Sequence, residues 1–426
     1  MMLAWFLVPL FGMILLNVPV SFSLFGTSVI MLYISNMFQA DIVATTFFRG
    51  LDNFSLLAMT FFMVAGEIMS SGGISYRIVS FARVWIGHIR GGLGYVGVIA
   101  SMIFAGVSGS AVADMAAVGS VLMPILEEQK YNTAKSTALL CAAGCIGPII
   151  PPSLLMIIYG TAMEVSVTKL FLGGVVPGLI IGLGLMVVWF FHAKKAGYAT
   201  IPKEPMSVRL KATWDSILAV ALPFLIMFSI VFGIATPTES AILAVAYALV
   251  VAGFVYKEFD FKTIPNILFN GAKSTAVIML VVGAAQVAAF IIVAARIPVL
   301  LTNALMSVTS NPYGIMALIT LLILAVGCVM DGGPAVLILG PILLPIVKGI
   351  GLSPVYFGVV MTVNLAIGLL TPPVGNVLYV GMRMGNIDMS TLVKNLGPFI
   401  GIMVLCLLLI TYVPVLVTWL PDLLMG

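Results

Sequence analysis

Two apolar runs, Ile146–Gly160 (IGPIIPPSLLMIIYG) and Ile367–Gly381 (IGLLTPPVGNVLYVG), are each cut near the middle by a proline pair, Pro151–Pro152 and Pro372–Pro373. Proline removes a backbone donor, clashes with the preceding turn and biases its predecessor away from helical angles. A helix broken inside a membrane leaves carbonyls and amides without partners, which hydrocarbon tolerates only where protein, water or an ion satisfies them. Two such breaks at matching places in two halves of a chain point to a binding site of the kind secondary transporters build.

That the runs do lie in a membrane follows from composition. Of 426 residues, 62% are apolar and 8% charged, against about a quarter charged in soluble domains. Mean hydropathy is +1.23, and no segment is polar enough to form a separate soluble domain. The start, MMLAWFLVPLFGMILLNVP, lacks a basic leader and a small-residue cleavage site, so it is expected to be a retained membrane helix. The net charge of +4 is too small to signal nucleic-acid binding.

Enzymatic readings fail for want of parts. The chain has two histidines, His88 and His192, and neither a metalloprotease HExxH nor a Ser/His/Asp set can be assembled from them. Gly271–Thr275 lacks the glycine spacing of a phosphate loop. The four cysteines, Cys141, Cys145, Cys328 and Cys406, sit in apolar segments without a nearby histidine and read as small buried residues.

Along the chain, spans are expected at about 3–16, 22–37 and 54–70, with 41–53 interfacial. Gly73–Gly92 spreads Arg77, Arg83, His88 and Arg90 among Ile78, Phe81, Val84 and Trp85, the pattern of a helix lying along a membrane surface. Gly91–Leu126 would be about 54 Å long as one helix, far beyond a hydrocarbon core of about 30 Å. Its centre, Gly106-Val107-Ser108-Gly109-Ser110, predicts a re-entrant hairpin with its tip at Ser108–Ser110. A broken helix follows from Ser136 to Met163, then a span at about 170–191 and a basic linker, His192–Trp214. Further spans are expected from the linker to a turn at Thr236–Glu239, and at about 241–256 and 272–294. Tyr313–Val347 predicts a second hairpin, tipped at Gly327–Pro334. Val355–Met382 is the second broken helix, and one last span runs over about 396–419.

At a constant shift of 221 positions (327 − 106), Gly106 falls on Gly327, Gly119 on Gly340, Pro124 on Pro345 and Gly147 on Gly368. The same shift puts both prolines on both prolines, Gly160 on Gly381, Pro177 on Pro398 and Ser110 on Asp331. The chain is therefore a duplication. Each half crosses five times by this segmentation, and an odd number inverts the second half. Because positive charge marks the cytoplasm, the basic linker, Gly73–Gly92 and Glu127–Lys135 lie inside, and both termini outside. The fold class is an all-α polytopic membrane protein, an inverted repeat with two re-entrant hairpins and two broken helices.

Unwound carbonyls with Ser, Thr or Asn oxygens suit Na⁺, and half-helix N-termini attract a carboxylate. One cluster comprises Ser108, Gly109, Ser110, Gly147 and Pro151, with Ser153 beside it. The other comprises Gly327, Asp331, Gly332, Gly333, Gly368 and Thr371, with Asn376 beside it. Small residues also serve plain helix packing, so each serine has a structural reading as well. Asp331 is the sharpest candidate, because an ionisable group at a re-entrant tip is costly unless it pairs with a cation or proton; a helix cap is the plainer role. Asp114 either caps the second arm of its hairpin or lines the pathway. Glu67 is expected to be buried and held by the scaffold rather than to touch substrate.

FAGVSGSAVADMAAVGSVLMPIL, IGPIIPPSLLMIIYG, VMDGGPAVLILGPILLPI and IGLLTPPVGNVLYV together resemble the large membrane subunit of TRAP (tripartite ATP-independent periplasmic) transporters, over essentially the whole chain. The resemblance implies a Na⁺-driven importer of organic anions in a bacterial inner membrane, working by an elevator movement and similar in fold to the ion-transporter superfamily. It implies two partners, a small four-helix membrane subunit, expected here as a separate polypeptide, and a soluble periplasmic binding protein. Carried onto this chain, it implies Na⁺ at Ser108–Ser110 with Gly147–Pro151, and again at Gly327–Gly333 with Gly368–Pro372. Substrate is implied between them, near Ser110, Ser153, Asp331 and Asn376. The tip SGSAVADM looks more like the sialic-acid branch than the dicarboxylate one.

An elevator divides the chain into 91–165 and 311–385 as the moving hairpins and broken helices, with 1–90, 166–310 and a C-terminal helix in 386–426 as scaffold. Glu239 and Arg296 are candidates for docking the binding protein, or simple interfacial anchors. Competing readings are a stand-alone Na⁺- or H⁺-coupled dicarboxylate or citrate carrier, an anion channel, and a non-transporting scaffold.

Overall fold

The computed structural model describes residues 2–16, 18–200, 202–295, 299, 309, 311–372 and 374–426, and among them every regular element is helical. The first half runs α1 (Met2–Leu15), α2 (Val20–Ile34), α3 (Ala40–Leu51), α4 (Phe54–Ser71), α5 (Ile74–Ile86), α6 (Gly92–Ser108), α7 (Ala111–Glu128), α8 (Thr133–Gly144), α9 (Leu154–Ala162) and α10 (Val167–Ala196). The second runs α11 (Met206–Val231), α12 (Pro237–Leu249, wound on as a π-turn over Val250–Val255), α13 (Ile264–Ala294, entered through the 3₁₀ turn Phe261–Thr263), α14 (Pro312–Gly327), α15 (Gly332–Gly349), α16 (Pro354–Gly368), α17 (Asn376–Gly385), α18 (Met389–Tyr412) and α19 (Val415–Met425). Seven segments among the described residues are long and apolar enough to cross a membrane, and α6, α14 and α16 are shorter apolar helices.

The duplication extends to the ends of elements. Shifted by 221, α7 coincides with α15 at both ends (111 + 221 = 332; 128 + 221 = 349). Ser110 caps α7 by accepting from the Ala113 amide, and Asp331 caps α15 by accepting from that of Gly332. Asn132 and Ser353, also 221 apart (353 − 132), cap α8 and α16. A side-chain oxygen at these positions satisfies an amide the helix itself leaves free. Oxygen-bearing cap residues at the same offsets therefore start the same helices twice.

Packing exchanges the halves. α4 lies on α12, the counterpart of α2, while α13, the counterpart of α4, lies on α2. Likewise α7 packs on α17 and α15 on α9; α8 packs on α18 and α16 on α10. Such reciprocal pairs are the mark of a two-fold relation. The halves differ at one joint. α3 and α4 are separate helices, divided at Asp52–Asn53 with Asn53 capping α4, whereas α13 runs on through the corresponding stretch.

Two groups of helices emerge from these contacts. α6–α10 pack with α14–α19, and α1–α4 pack with α11–α13. The amphipathic α5 joins them, touching α6 and α7 on one side and α11 on the other. Arg77 of α5 makes a two-pronged ion pair with Glu258, at 2.8 and 2.9 Å, and its guanidinium lies 3.7 Å from the centre of the Tyr256 ring.

The structure adds detail at three places. Residues 41–53 contain a formed helix, α3, packed on α13. α10 and α18, placed with the scaffold by the 166–310 and 386–426 boundaries, pack on the hairpins and broken helices, and α10 scarcely meets α11. The C-terminal helix is two helices, because Val413 leaves helical angles and Pro414 starts α19. Proline cannot donate into a preceding turn, so the apolar run that suggested one span is interrupted there.

Candidate cation and substrate site

The first hairpin turns at Gly109, in the left-handed region at φ +61°. A Cβ there would meet the Leu154 amide at 3.1 Å, so the tip rests on the start of α9 as only glycine allows. The second hairpin meets its own break through glycine as well. A Cβ on Gly327 would lie 3.4 Å from the Gly368 Cα, and the Val374 amide donates to the Cys328 carbonyl at 3.3 Å. Each tip is thus seated on the broken helix of its own half.

Behind the first tip the charge is concealed. Ser108 Oγ donates to Asp114 Oδ1 in a short contact, and the Ser110 amide donates to Ser108 Oγ at 3.2 Å. Asp114 is fully buried, and its Oδ2 has no hydrogen-bond partner. That oxygen faces Gly147, where a Cβ would collide with it. No hydrogen bond among the described residues reaches the carbonyls of Ile149, Ile150, Pro151 or Pro152. A buried carboxylate oxygen without a partner is expensive unless a proton or cation meets it, and the break supplies unpaired carbonyls in the same segment. Asp114 is therefore neither the cap of α7, a role Ser110 fills, nor a pathway lining.

The second break has a parallel feature that the sequence did not flag. Asn364, one turn before Gly368, is fully buried with both amide atoms unpartnered. Nearby, Thr371 Oγ1 donates back to the Ile367 carbonyl at 3.3 Å, and Pro372 is exposed. Pro373 lies outside the described residues.

Between the tips is a cavity of about 250 Å³ whose lining includes Gly109, Ser110, Asp331, Gly332, Gly333 and Asn376. It brings together Ser110, Asp331 and Asn376 as expected, and their neighbours there are aliphatic, such as Leu155, Ile158 and Val281. Ser153 is not among the lining residues. Its hydroxyl donates to the Pro148 carbonyl in a short contact and accepts from the Met156 amide at 3.2 Å, so it is consumed in capping α9. Ser153 is therefore not one of the groups the structure brings to this cavity.

A second cavity, about 430 Å³, adjoins the first through Met63, Ser110 and Val112 and contains Glu67, Ser70, Ser71 and Ser274. Glu67 is exposed into it rather than buried. The one ion pair among the described residues is Arg77–Glu258, so Glu67 is not held by a scaffold charge. The period-3.6 pattern of α4 hid this, because both neighbours, Gly66 and Ile68, are buried. A larger cavity of about 720 Å³, between α5 and α11, contains no residue of the tips or breaks.

Glu239 serves its own helix. Its Oε2 accepts from the Thr236 amide at 2.7 Å and from the Thr236 hydroxyl at 2.8 Å, a capping box at the start of α12. Arg296 lies outside the described residues.

Two re-entrant tips on two broken helices, related by a two-fold exchange, define a multi-pass membrane carrier. Comparison with known proteins gives the family: residues 7–416 match the description "Tripartite ATP-independent periplasmic transporter, DctM component", and the chain belongs to that family. It is 42% identical to a putative TRAP transporter large permease protein of Haemophilus influenzae, over 97% of each chain. It is 39% identical to the 2,3-diketo-L-gulonate TRAP transporter large permease protein of Escherichia coli, over 97% of each chain. Identity to the sialic acid TRAP transporter large permease protein of Vibrio cholerae is 36%, again over 97% of each. The fold is similar to that of the Alcanivorax borkumensis YdaH transporter, with TM-score 0.58 and 14% identity over 90% of this chain and 91% of the other.

The chain is accordingly a large permease component of a binding-protein-dependent organic-acid transporter in a bacterial inner membrane, and it is not an enzyme. Large permeases of this family work with a small membrane subunit and a periplasmic binding protein. Membership decides against the stand-alone carrier, channel and scaffold readings.

Proposed function

We propose that this permease imports a sugar acid together with Na⁺. The observation that carries the coupling is Asp114, a fully buried carboxylate with one oxygen unpartnered, facing the Gly147 break. Na⁺ held by Asp114, Ser108 and carbonyls of the break would neutralise it. A second Na⁺ would use carbonyls at Gly327–Asp331 and Gly368–Thr371, with Asn364 as a further oxygen donor. The substrate carboxylate would lie at the start of α15, where the Gly333 amide is free of a cap and Asp331 is balanced by the cation.

The moving body in this reading is α6–α10 with α14–α19, sliding on α1–α4 and α11–α13. α5 is the arm between them. Both termini face the periplasm, the basic linker being cytoplasmic; an epitope tag at Met1 found in the cytoplasm would reverse that topology.

Two things support a sugar acid, with sialic acid first. The tip SGSAVADM looks like the sialic-acid branch, and relatives at 39% and 36% identity are named for 2,3-diketo-L-gulonate and sialic acid. Uptake into proteoliposomes holding both membrane subunits, with binding protein outside, tests the coupling. Accumulation should require an inward Na⁺ gradient, and equal uptake in K⁺ alone would refute it. The ligand that the partner binding protein retains on purification tests the substrate, and a C4-dicarboxylate there would exclude a sugar acid.

A further inference from the structure

We infer that Glu67 selects against dicarboxylates and holds the hydroxylated end of a monocarboxylic acid, a reading that rests on the proposed sugar-acid transport and names the residue behind it. The two cavities lie side by side with Met63, Ser110 and Val112 as their common wall, and the inferred substrate reaches across it. Each end carries one carboxylate, Asp331 in the first and Glu67 in the second, and no Lys, Arg or His lines either cavity among the described residues.

The two carboxylates are not equivalent. Asp331 stands at the cap of α15, among the tip and break groups proposed to hold Na⁺. Glu67 belongs to neither tip nor break: around it are the hydroxyls of Ser70, Ser71 and Ser274, with Ser108 and Ser110 of the first tip on the cavity wall. Met63, which reaches both cavities, and Glu67 are one turn apart on α4, about 6 Å along the axis.

A carboxylate among hydroxyls, without a cation, accepts hydrogen bonds from substrate hydroxyls and repels a second carboxylate. A sugar acid bound with its carboxylate at α15 turns its hydroxyls toward Glu67 and the serines. A dicarboxylate in the same pose would place its far charge against Glu67, with no cationic side chain among the described residues lining the cavity to offset it. Discrimination by a repulsive element is as effective as an added attraction.

The purified pair of membrane subunits, without binding protein, isolates the permease's own preference. Thermal stabilisation by D-gluconate, N-acetylneuraminate and succinate is titrated in Na⁺ and again in K⁺, for wild type, Glu67→Gln and Glu67→Asp. In wild type the better hydroxylated acid should half-saturate at least about tenfold lower than succinate. Glu67→Gln should close most of that gap, by tightening succinate and weakening the hydroxylated acid, and Glu67→Asp should keep part of it. Unliganded melting of the variants, expected to match wild type, separates a lost preference from a misfolded one.

Succinate binding as well as the hydroxylated acids, no response to either hydroxylated acid, or a ratio unchanged in Glu67→Gln overturns the inference. The same ranking in Na⁺ and in K⁺ would sink the coupling proposal while leaving the assignment of Glu67 standing. An unchanged ratio in Glu67→Gln beside a wild-type preference for hydroxylated acids would do the reverse.

Discussion

Ser110 and Asp331 are the same residue of a duplicated helix cap, 221 positions apart (331 − 110), and both face one cavity. The duplication kept the oxygen and changed its charge. The neutral cap sits beside a hidden carboxylate, Asp114, whereas the charged cap has Asn364, a neutral amide, buried one turn before the Gly368 break. Each half thus carries one carboxylate and one neutral oxygen side chain, in opposite order.

Asp114→Asn should remove Na⁺ binding at the first break without weakening the empty protein. Losing the anionic partner of a buried ion costs about 3–5 kcal/mol, or more than a hundredfold in affinity. In the absence of Na⁺ the substitution deletes an unbalanced buried charge, so unliganded melting should hold or rise. Melting curves against Na⁺ concentration check both parts; a wild-type Na⁺ response in Asp114→Asn removes this residue from the ion site.

Gly368→Ala should damage the second break more than its size suggests. The new methyl would lie 2.6 and 2.7 Å from the carbonyl carbon and oxygen of Gly327, and backbone gives way less readily than a side chain. Overpacking of this kind costs about 1–3 kcal/mol. Gly401→Ala is the control, because nothing lies within 4 Å of a Cβ there. Equal melting temperatures for the two would contradict the close approach of tip and break.

The arm should loosen in acid. Hydrogen bonding and charge from Arg77 hold the Glu258 carboxyl below its ordinary range. A carboxylate with a depressed pKa contributes stability that is present above its ordinary pKa and lost as pH falls toward and through the lowered value. The Glu258 side chain is 47% exposed, so solvent screening limits the coupling to about 1 kcal/mol or less. A double-mutant cycle with Arg77→Met and Glu258→Gln, melted at neutral and acid pH and at two salt concentrations, should give a coupling that shrinks with acid and with salt.

Glu239→Gln should cost only part of a helix cap, because Thr236 still accepts from the backbone amide of residue 239. Glu239→Lys loses the box as well and places a cation at a helix N-terminus. If the residue is only a cap, uptake driven by saturating binding protein will be unchanged in Glu239→Gln, while a several-fold rise in the binding protein needed for half-maximal uptake in either variant will show a docking role.

Much of the architecture could be read from punctuation. Proline pairs and SGS- or DGG-type tips are backbone statements, because few other residues permit those angles, and they located both hairpins and both breaks. What escaped reading was set by which helices face each other. Glu67 was expected inside because its neighbours are apolar, but burial of Gly66 and Ile68 leaves the position between them turned to a cavity. Ser153 looked like a ligand because it follows two prolines, yet a serine there is also the residue that starts a helix. Asp114 was visible only as a charge four residues after Ser110, and its partner, Ser108, is found on the opposite arm of the turn. The grouping of α10 and α18 with the hairpins had no sequence signal, since their apolar faces read alike toward any neighbour.

The exchanged packing makes each half the other's missing surface. α4 finds its partner in α12, and α13 in α2. The covalent tie between the halves is the stretch between Gly197 and Pro205, where the described residues are non-helical; Tyr198 stacks on Tyr131 of the first half, and the residues after it form the link. Cut there, the chain becomes two polypeptides that are each insoluble in their own company yet complementary to one another. Co-expressed, they should reassemble into a working permease, and expressed singly neither should accumulate. In that sense the protein is a heterodimer that happens to be made in one piece.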